Sequence, residues 1–247
     1  MDERLVPAEF AWSFATNTYH SIFEIVADAA ERIQIDAKRL SLVQFAEGEW
    51  DEGLRHELAA CIIVSDRRTI LTSIMQERLR YPETLRRERI HDHYGRADYY
   101  VSEWRLLAWI QRGGLACAHD QLTAAFEEIL HLLHAYNMVW MPSRARWLLS
   151  ALNLPCVPEG FAGTAMDILA MGSLTEEHLI ARRRIIAHLL DSIGSRLRAA
   201  GLLTDAAEAF RTTHPALGYA HNMVEWHHAH QEFVRTRMSD SPEYDGA

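Results

Sequence analysis

One long amphipathic helix pattern limits this chain to a helical fold. After Gly113 and Gly114, apolar residues recur every three or four positions, which places them on one stripe of an α-helix. The stripe consists of Leu115, Leu122, Phe126, Ile129, Leu133 and Trp140. Asn137 falls on the same stripe. Because such a helix needs neighbours to cover its apolar face, the pattern predicts a helical bundle.

A second pattern predicts another long helix after the Gly-Ser pair at 172. Ser173 and Glu176 have the spacing of a capping box, and apolar residues line one face until Gly201 ends the helix. Pro82 fits the first turn of a further helix, where no backbone donor is needed. Other helices are predicted over residues 19–33, over residues 204–211 and through the segment HNMVEWHHAHQEFVRTR.

Strand signals are confined to the amino-terminal part of the chain. The run ACIIVSD (60–66) is β-branched and ends in a turn, LSLVQFA (40–46) alternates in polarity, and PAEFAWSF (7–14) is a third candidate strand. We therefore predict a mainly-α protein. Residues 1–75 form a small α+β segment with two or three strands, residues 76–238 form a helical bundle domain, and residues 239–247 form a disordered tail.

The composition restricts the surroundings of the protein. A formal net charge of −9 does not favour nucleic acid or an anionic membrane as a partner. The cysteines are far apart and form no CxxC pair, as in a cytoplasmic protein with reduced thiols. No stretch approaches the roughly 18 apolar residues of a membrane span, and the amino terminus lacks a secretion signal pattern. We expect a soluble, cytoplasmic protein.

Five short motifs follow one another between residues 60 and 167. They are IIVSDRRTIL, RYPETL, QRGGLACAHDQL, LLHAYNMVWMPSRARWLL and LPCVPEGF. In this order they resemble bacterial nucleotidyltransferase-like proteins, which carry a helical domain after a catalytic domain and are related to aminoglycoside and lincosamide nucleotidyltransferases. The resemblance implies nucleotidyl transfer to a hydroxyl, with Mg²⁺ as the metal and a nucleotide or small molecule as the substrate.

The resemblance also implies a binding site at Arg112, Asn137, Arg146 and Trp147. In this interpretation the four residues converge on a groove where cations meet phosphate and the indole offers a stacking face. The alternative for Asn137 is structural, because a buried amide needs hydrogen-bonding partners. Gly114 stands where the family has the aspartate of an Arg-Gly-Asp, and Arg146 replaces a lysine.

The catalytic segment of the family is absent from this sequence. It consists of a Gly-Ser pair followed by Asp-x-Asp, whose two carboxylates hold divalent metal against the triphosphate. No two aspartates here are separated by a single residue, and Glu9 is the candidate for the third carboxylate of the family. We therefore expect a binding module that lacks its own carboxylate pair and depends on a partner chain or another domain for chemistry.

Other functions remain open at this point. The Glu-x-x-His spacing of di-iron bundles occurs at Glu128/His131 and at Glu225/His228, which would be the ligands of a metal-dependent oxidase. Arg112 and His119 have an Arg–His spacing used by some helical ribonucleases. A purely structural subunit, which would bind neither a nucleotide nor a metal, is a further alternative.

Overall fold

The computed structural model describes residues 20–28, 31–38, 40–170 and 172–203. The chain divides into two compact units, residues 1–51 and residues 52–247, earlier in the chain than the predicted boundary after residue 75. Within the described residues, no helix is both long enough and apolar enough to cross a membrane.

The first unit contains a β-hairpin and a short helix. Its elements are β1 (His20–Asp28), β2 (Glu31–Lys38) and α1 (Leu42–Glu47). The two strands are antiparallel, with Ile25 opposite Ile33. Helix α1 begins after Ser41, whose hydroxyl accepts the Gln44 amide at 3.1 Å while the Gln44 side chain accepts the Ser41 amide at 2.9 Å. This capping box satisfies two amides that the helix leaves unpaired.

The second unit is built from helices within its described residues. They are α2 (Glu52–Ala59), α3 (Ile70–Arg78), α4 (Glu83–Val101), α5 (Glu103–Gln111), α6 (Leu115–Tyr136), a 3-10 turn (Arg144–Arg146), α7 (Trp147–Leu152), α8 (Phe161–Leu169) and α9 (Glu176–Ala199). Helix α6 packs along α4, and α9 packs against both. The centre of this core holds the fully buried side chains of Ile90, Leu122, Ile129, Ile186 and Leu197. The mainly-α prediction is confirmed.

Helix α6 ends at Tyr136 and does not continue through Trp140, so the predicted stripe is too long at its end. Met138 adopts a left-handed conformation with φ 56°. The amide of Val139 donates to the carbonyl of His134 at 3.0 Å, which closes the Schellman motif that often ends a helix. Glycine is the usual residue at the left-handed position, so the sequence carries no ordinary stop signal here.

Helix α9 begins later than its predicted cap. Thr175 is the N-cap, and its hydroxyl accepts from the His178 amide at 3.4 Å. Ser173, the predicted cap, instead places its hydroxyl 3.1 Å from Nδ1 of His178. The helix ends two residues before Gly201, which has φ +66°, as the sequence predicts.

The runs 40–46 and 60–66, predicted as strands, do not form strands, whereas β1 and β2 lie elsewhere in the amino-terminal segment. Residues 42–47 form α1, because the capping box at Ser41 favours a helix over a short alternating run. Residues 60–66 form a loop between α2 and α3, in which Ile62 and Val64 are 89% and 94% exposed. The helix predicted over 19–33 is replaced by β1 and the start of β2, where Ile33 and Ile35 recur at the strand spacing.

Several predictions concern residues that the structure does not describe. The candidate strand 7–14, the helix 204–211, the segment HNMVEWHHAHQEFVRTR and the tail 239–247 all lie outside the described residues.

Candidate functional site

A groove of about 400 Å³ opens beside α7. It is lined by His56, Val139, Arg146, Leu149, Ser150, Asn153, Leu154 and Pro155. Arg146, Leu149, Ser150 and Asn153 have the i, i+3, i+4, i+7 spacing that puts side chains on one helical face. The volume lies within the range of small-molecule sites in proteins, and half of the lining is apolar.

The groove lining carries the positive charge of Arg146, although the whole chain has a formal charge of −9. Its lining contains Arg146 and His56, but neither aspartate nor glutamate. Arg146 is exposed, and its guanidinium has no hydrogen bond or ion pair with any described residue. A guanidinium presents five N–H donors in a planar fork, so this groove favours an anionic ligand.

His56, on α2, is held in one tautomer by the backbone. Its Nδ1 lies 2.8 Å from the carbonyl oxygen of Trp140, which can only accept a hydrogen bond. Nδ1 therefore carries the hydrogen, and Nε2 is the acceptor of the neutral ring. Trp140 is fixed in turn, because its Nε1 donates to the carbonyl of Leu79 at 2.9 Å.

Ser150 is hydrogen-bonded to a buried imidazole behind the groove. Its Oγ lies 2.9 Å from Nε2 of His134, while Nδ1 of His134 lies 2.8 Å from the carbonyl oxygen of Leu130. Only 1% of His134 is exposed, and burial lowers the pKa of its imidazole. The ring is therefore neutral at pH 7, with its hydrogen on Nδ1 and its lone pair directed at the Ser150 hydroxyl.

Asn137 and Trp147, predicted to bind a ligand, make internal contacts and are not among the residues that line the groove. The Asn137 side chain bonds to the backbone of Leu133 and Cys156. Nε1 of Trp147 donates to the Pro142 carbonyl at 3.0 Å. The backbone groups of Leu133 and Cys156 are hydrogen-bonding partners of the kind that the structural interpretation of Asn137 requires.

Arg112 lies far from the other predicted binding residues. It follows α5, and its guanidinium is 5.8 Å from the ring centre of Trp109. The 22 residues of α6, about 33 Å of helix, separate it along the chain from Asn137. His119, its partner in the ribonuclease interpretation, contacts Arg182 at 3.0 Å. Of the four predicted binding residues, the structure brings only Arg146 to the groove, and Glu9 lies outside the described residues.

Glu128 and His131, the candidate metal ligands on α6, contact residues of α4. Oε2 of Glu128 lies 2.7 Å from Nδ1 of His93, and Oε1 lies 3.8 Å from Arg96. The His131 ring stacks on His93 with 4.8 Å between ring centres. Burial is the largest cause that lowers the pKa of His131, to about 4, followed by the charge of His93.

Only half of the predicted di-iron ligand set lies in the part of the chain that the structure describes. Among the residues whose side chains the structure describes, 40–170 and 172–203, no three or more His, Cys, Asp or Glu side chains form a group that could hold a metal ion. Glu225 and His228, the other half of the predicted ligand set, lie outside the described residues. The metal site stays a prediction.

Arg146 is the one residue of the groove lining that the sequence predicts to bind a ligand. His56, Ser150 and Asn153 belong to no recognisable motif, although the polar side chains at 146, 150 and 153 have helical spacing. That spacing is a signal for the α7 face. No local pattern connects His56 with this face. No family model, curated protein or solved structure matches the chain.

Proposed function

We propose that the helical unit binds a small molecule with a phosphate group, for which a nucleotide is the first candidate. The observation that supports this is the position of Arg146, whose exposed guanidinium lies in a groove without carboxylates. A guanidinium fork matches the geometry of phosphate oxygens. The apolar part of the lining, Val139, Leu149 and Leu154, offers a surface for a base or sugar.

The proposal keeps the relationship to nucleotidyltransferase-like proteins as part of the hypothesis. If the chain is related to these proteins, it acts as their binding module. Transfer of a nucleotidyl group would then need Mg²⁺ and a carboxylate pair from a partner chain or another domain. Nucleotide binding, unlike nucleotidyl transfer, would require only the residues of this groove.

Thermal unfolding of the full chain tests the proposal. The melting temperature is measured with and without millimolar ATP, GTP, CTP or UTP in the presence of magnesium. A ligand at a hundred times its dissociation constant stabilises the fold by about 2.7 kcal/mol. For a chain of this size we expect the midpoint to rise by roughly 5–10 °C. Arg146→Ala should abolish this rise.

Arg184→Ala is the matched control, because Arg184 is an exposed arginine of α9 outside the groove lining. It should keep the rise. Inorganic phosphate and ribose 5-phosphate, tested in parallel, show whether the groove needs the base. No rise with any of these phosphates, or an equal loss in both variants, would contradict the proposed function.

A further inference from the structure

The hydroxyl of Ser150 has a different partner from those of three other helical residues, Ser73, Thr123 and Ser195. Ser73, Thr123 and Ser195 each donate to the carbonyl four residues earlier, which is the ordinary partner of a hydroxyl inside a helix. Ser150 lies inside α7, yet its Oγ is 2.9 Å from Nε2 of His134. Its hydrogen is directed away from its own helix and toward a base.

The base is fixed in the form that can accept a proton. Nδ1 of His134 lies 2.8 Å from the carbonyl oxygen of Leu130, which can only accept, so Nδ1 carries the hydrogen. Nε2 therefore offers its lone pair to Ser150. Such an arrangement of a nucleophile, a base and a group that orients the base is the signature of an activated hydroxyl. Here the orienting group is a backbone carbonyl, which cannot change its protonation.

Ser150 also reaches the space where a ligand would lie. It is half-buried and lines the groove, whereas His134 lies behind it with 1% of its surface exposed. Arg146 and His56 line the same groove. A reacting molecule can therefore approach the hydroxyl from the groove side while the base remains shielded from water.

We propose that Ser150 is a nucleophile and His134 its general base in the hydrolysis of small esters that carry an anionic group. This inference goes beyond ligand binding, and it rests on the proposed function only in taking the ligand to be anionic. The anionic group would lie at Arg146, and the ester carbonyl at Ser150.

The reaction has two balanced steps. In the first, Oγ of Ser150 bonds to the ester carbonyl carbon and its proton moves to Nε2 of His134. The bond from that carbon to the alcohol oxygen breaks, and the leaving oxygen takes the proton from His134. In the second, water attacks the acyl-serine and gives a proton to His134. Oγ leaves with that proton, which releases the carboxylic acid and restores Ser150.

Labelling with diisopropyl fluorophosphate tests the inference on the full chain. The Oγ–P bond forms, the P–F bond breaks, fluoride leaves and the serine proton moves to His134. Peptide mapping by mass spectrometry then compares Ser150 with the exposed serines Ser73 and Ser195 of the same molecule. Because general-base assistance contributes typically 10²–10⁴-fold, we expect Ser150 to be labelled at least roughly a hundredfold faster.

Two variants make the assignment specific. Ser150→Ala should remove the label, and Ser195→Ala, which changes an exposed serine of α9, should keep it. Absence of label from the folded wild-type chain, or label spread evenly over the serines, would overturn the inference.

Comparison with the thermal experiment separates the two proposals. A nucleotide-dependent rise in melting temperature without labelling of Ser150 overturns the nucleophile and leaves the binding function. Labelling of Ser150 without any such rise supports the nucleophile and contradicts phosphate binding.

Discussion

The side chain of Asn137 holds the peptide groups of Cys156 by two hydrogen bonds. Nδ2 donates to the Cys156 carbonyl at 2.9 Å, and Oδ1 accepts from the Cys156 amide at 2.8 Å. The other hydrogen of Nδ2 goes to the carbonyl of Leu133 at 2.8 Å. The end of α6 is thereby tied to the loop that connects α7 to α8.

Asn137→Asp is expected to destabilise the protein by roughly 2–4 kcal/mol. The substitution keeps the size of the side chain but replaces two donated hydrogen bonds by repulsion between a carboxylate oxygen and two carbonyls. Urea unfolding at pH 7 measures the change. Asn153→Asp is the control, because Asn153 is exposed and its side chain donates to the Leu149 carbonyl of its own helix. A loss below about 0.5 kcal/mol at Asn137, the scale of ordinary surface substitutions, would contradict the structural role.

Gly194→Ala and Gly163→Ala are expected to change stability in opposite directions. At Gly194, inside α9, a Cβ would lie 2.7 Å from Oη and 2.8 Å from Cε2 of Tyr94. Overpacking of this kind costs about 1–3 kcal/mol. At Gly163, inside α8, a Cβ would meet nothing within 4 Å, so alanine should add roughly 0.5–1 kcal/mol through its helix propensity. Melting temperatures of both variants test this, and a change of the same sign would contradict it.

The long helices could be predicted because their periodic patterns extend over many residues. Helices α6 and α9 are 22 and 24 residues long, and along each of them apolar residues recur at the three-and-four spacing that a helix, but not a strand, places on one face. The alternating run at 40–46 is short enough to fit a strand or a helix. Its outcome is decided by Ser41 and Gln44, whose capping box favours the helix.

The candidate site was less predictable, because distant segments assemble it. The family resemblance of the segment that contains MPSRARW predicts Arg146 as a binding residue, whereas His56 comes from α2 and is oriented by the carbonyl of Trp140. Likewise, the contact between Ser150 and His134 depends on how α7 packs against α6. Such contacts leave no periodic signal in a single sequence.

Met138→Gly is expected to stabilise the protein. Met138 has φ 56°, a left-handed conformation that costs a residue with a Cβ about 1–2 kcal/mol. Glycine removes this cost but loses more backbone freedom on folding, and the 41% exposure of Met138 limits the packing that is lost. We expect a gain of roughly 0.5–1 kcal/mol in urea unfolding. Gly160→Ala is the reverse experiment, because Gly160 has φ +71° and a Cβ added there would meet nothing within 4 Å. Gly160→Ala should reduce the free energy of unfolding by a similar amount. A loss of stability in both Met138→Gly and Gly160→Ala would contradict this account.

The half-buried imidazole of His131 should lower the free energy of unfolding in mild acid. Burial first, and then the charge of His93, lowers its pKa to about 4, whereas the unfolded chain titrates near 6.5. Between these values the unfolded state binds a proton that the folded state does not. The free energy of unfolding therefore falls as the pH falls from about 6.5 to about 4, and this contribution is fully present above pH 6.5. The two pKa values set a ceiling near 3 kcal/mol, and partial exposure of the ring reduces the expected loss to roughly 1–2 kcal/mol.

His131→Phe should flatten this pH dependence. A phenyl ring can keep the stack on His93 and the edge contact with Trp147, which has 4.5 Å between ring centres, but it cannot bind a proton. Urea unfolding at several pH values between 7 and 4 gives the slope for each variant. A remaining slope is expected from His134, because burial lowers its pKa as well. His188→Phe, at an exposed position of α9, should keep the wild-type profile. If His131→Phe kept the full wild-type slope, proton exclusion at this ring would not be the cause of the acid sensitivity.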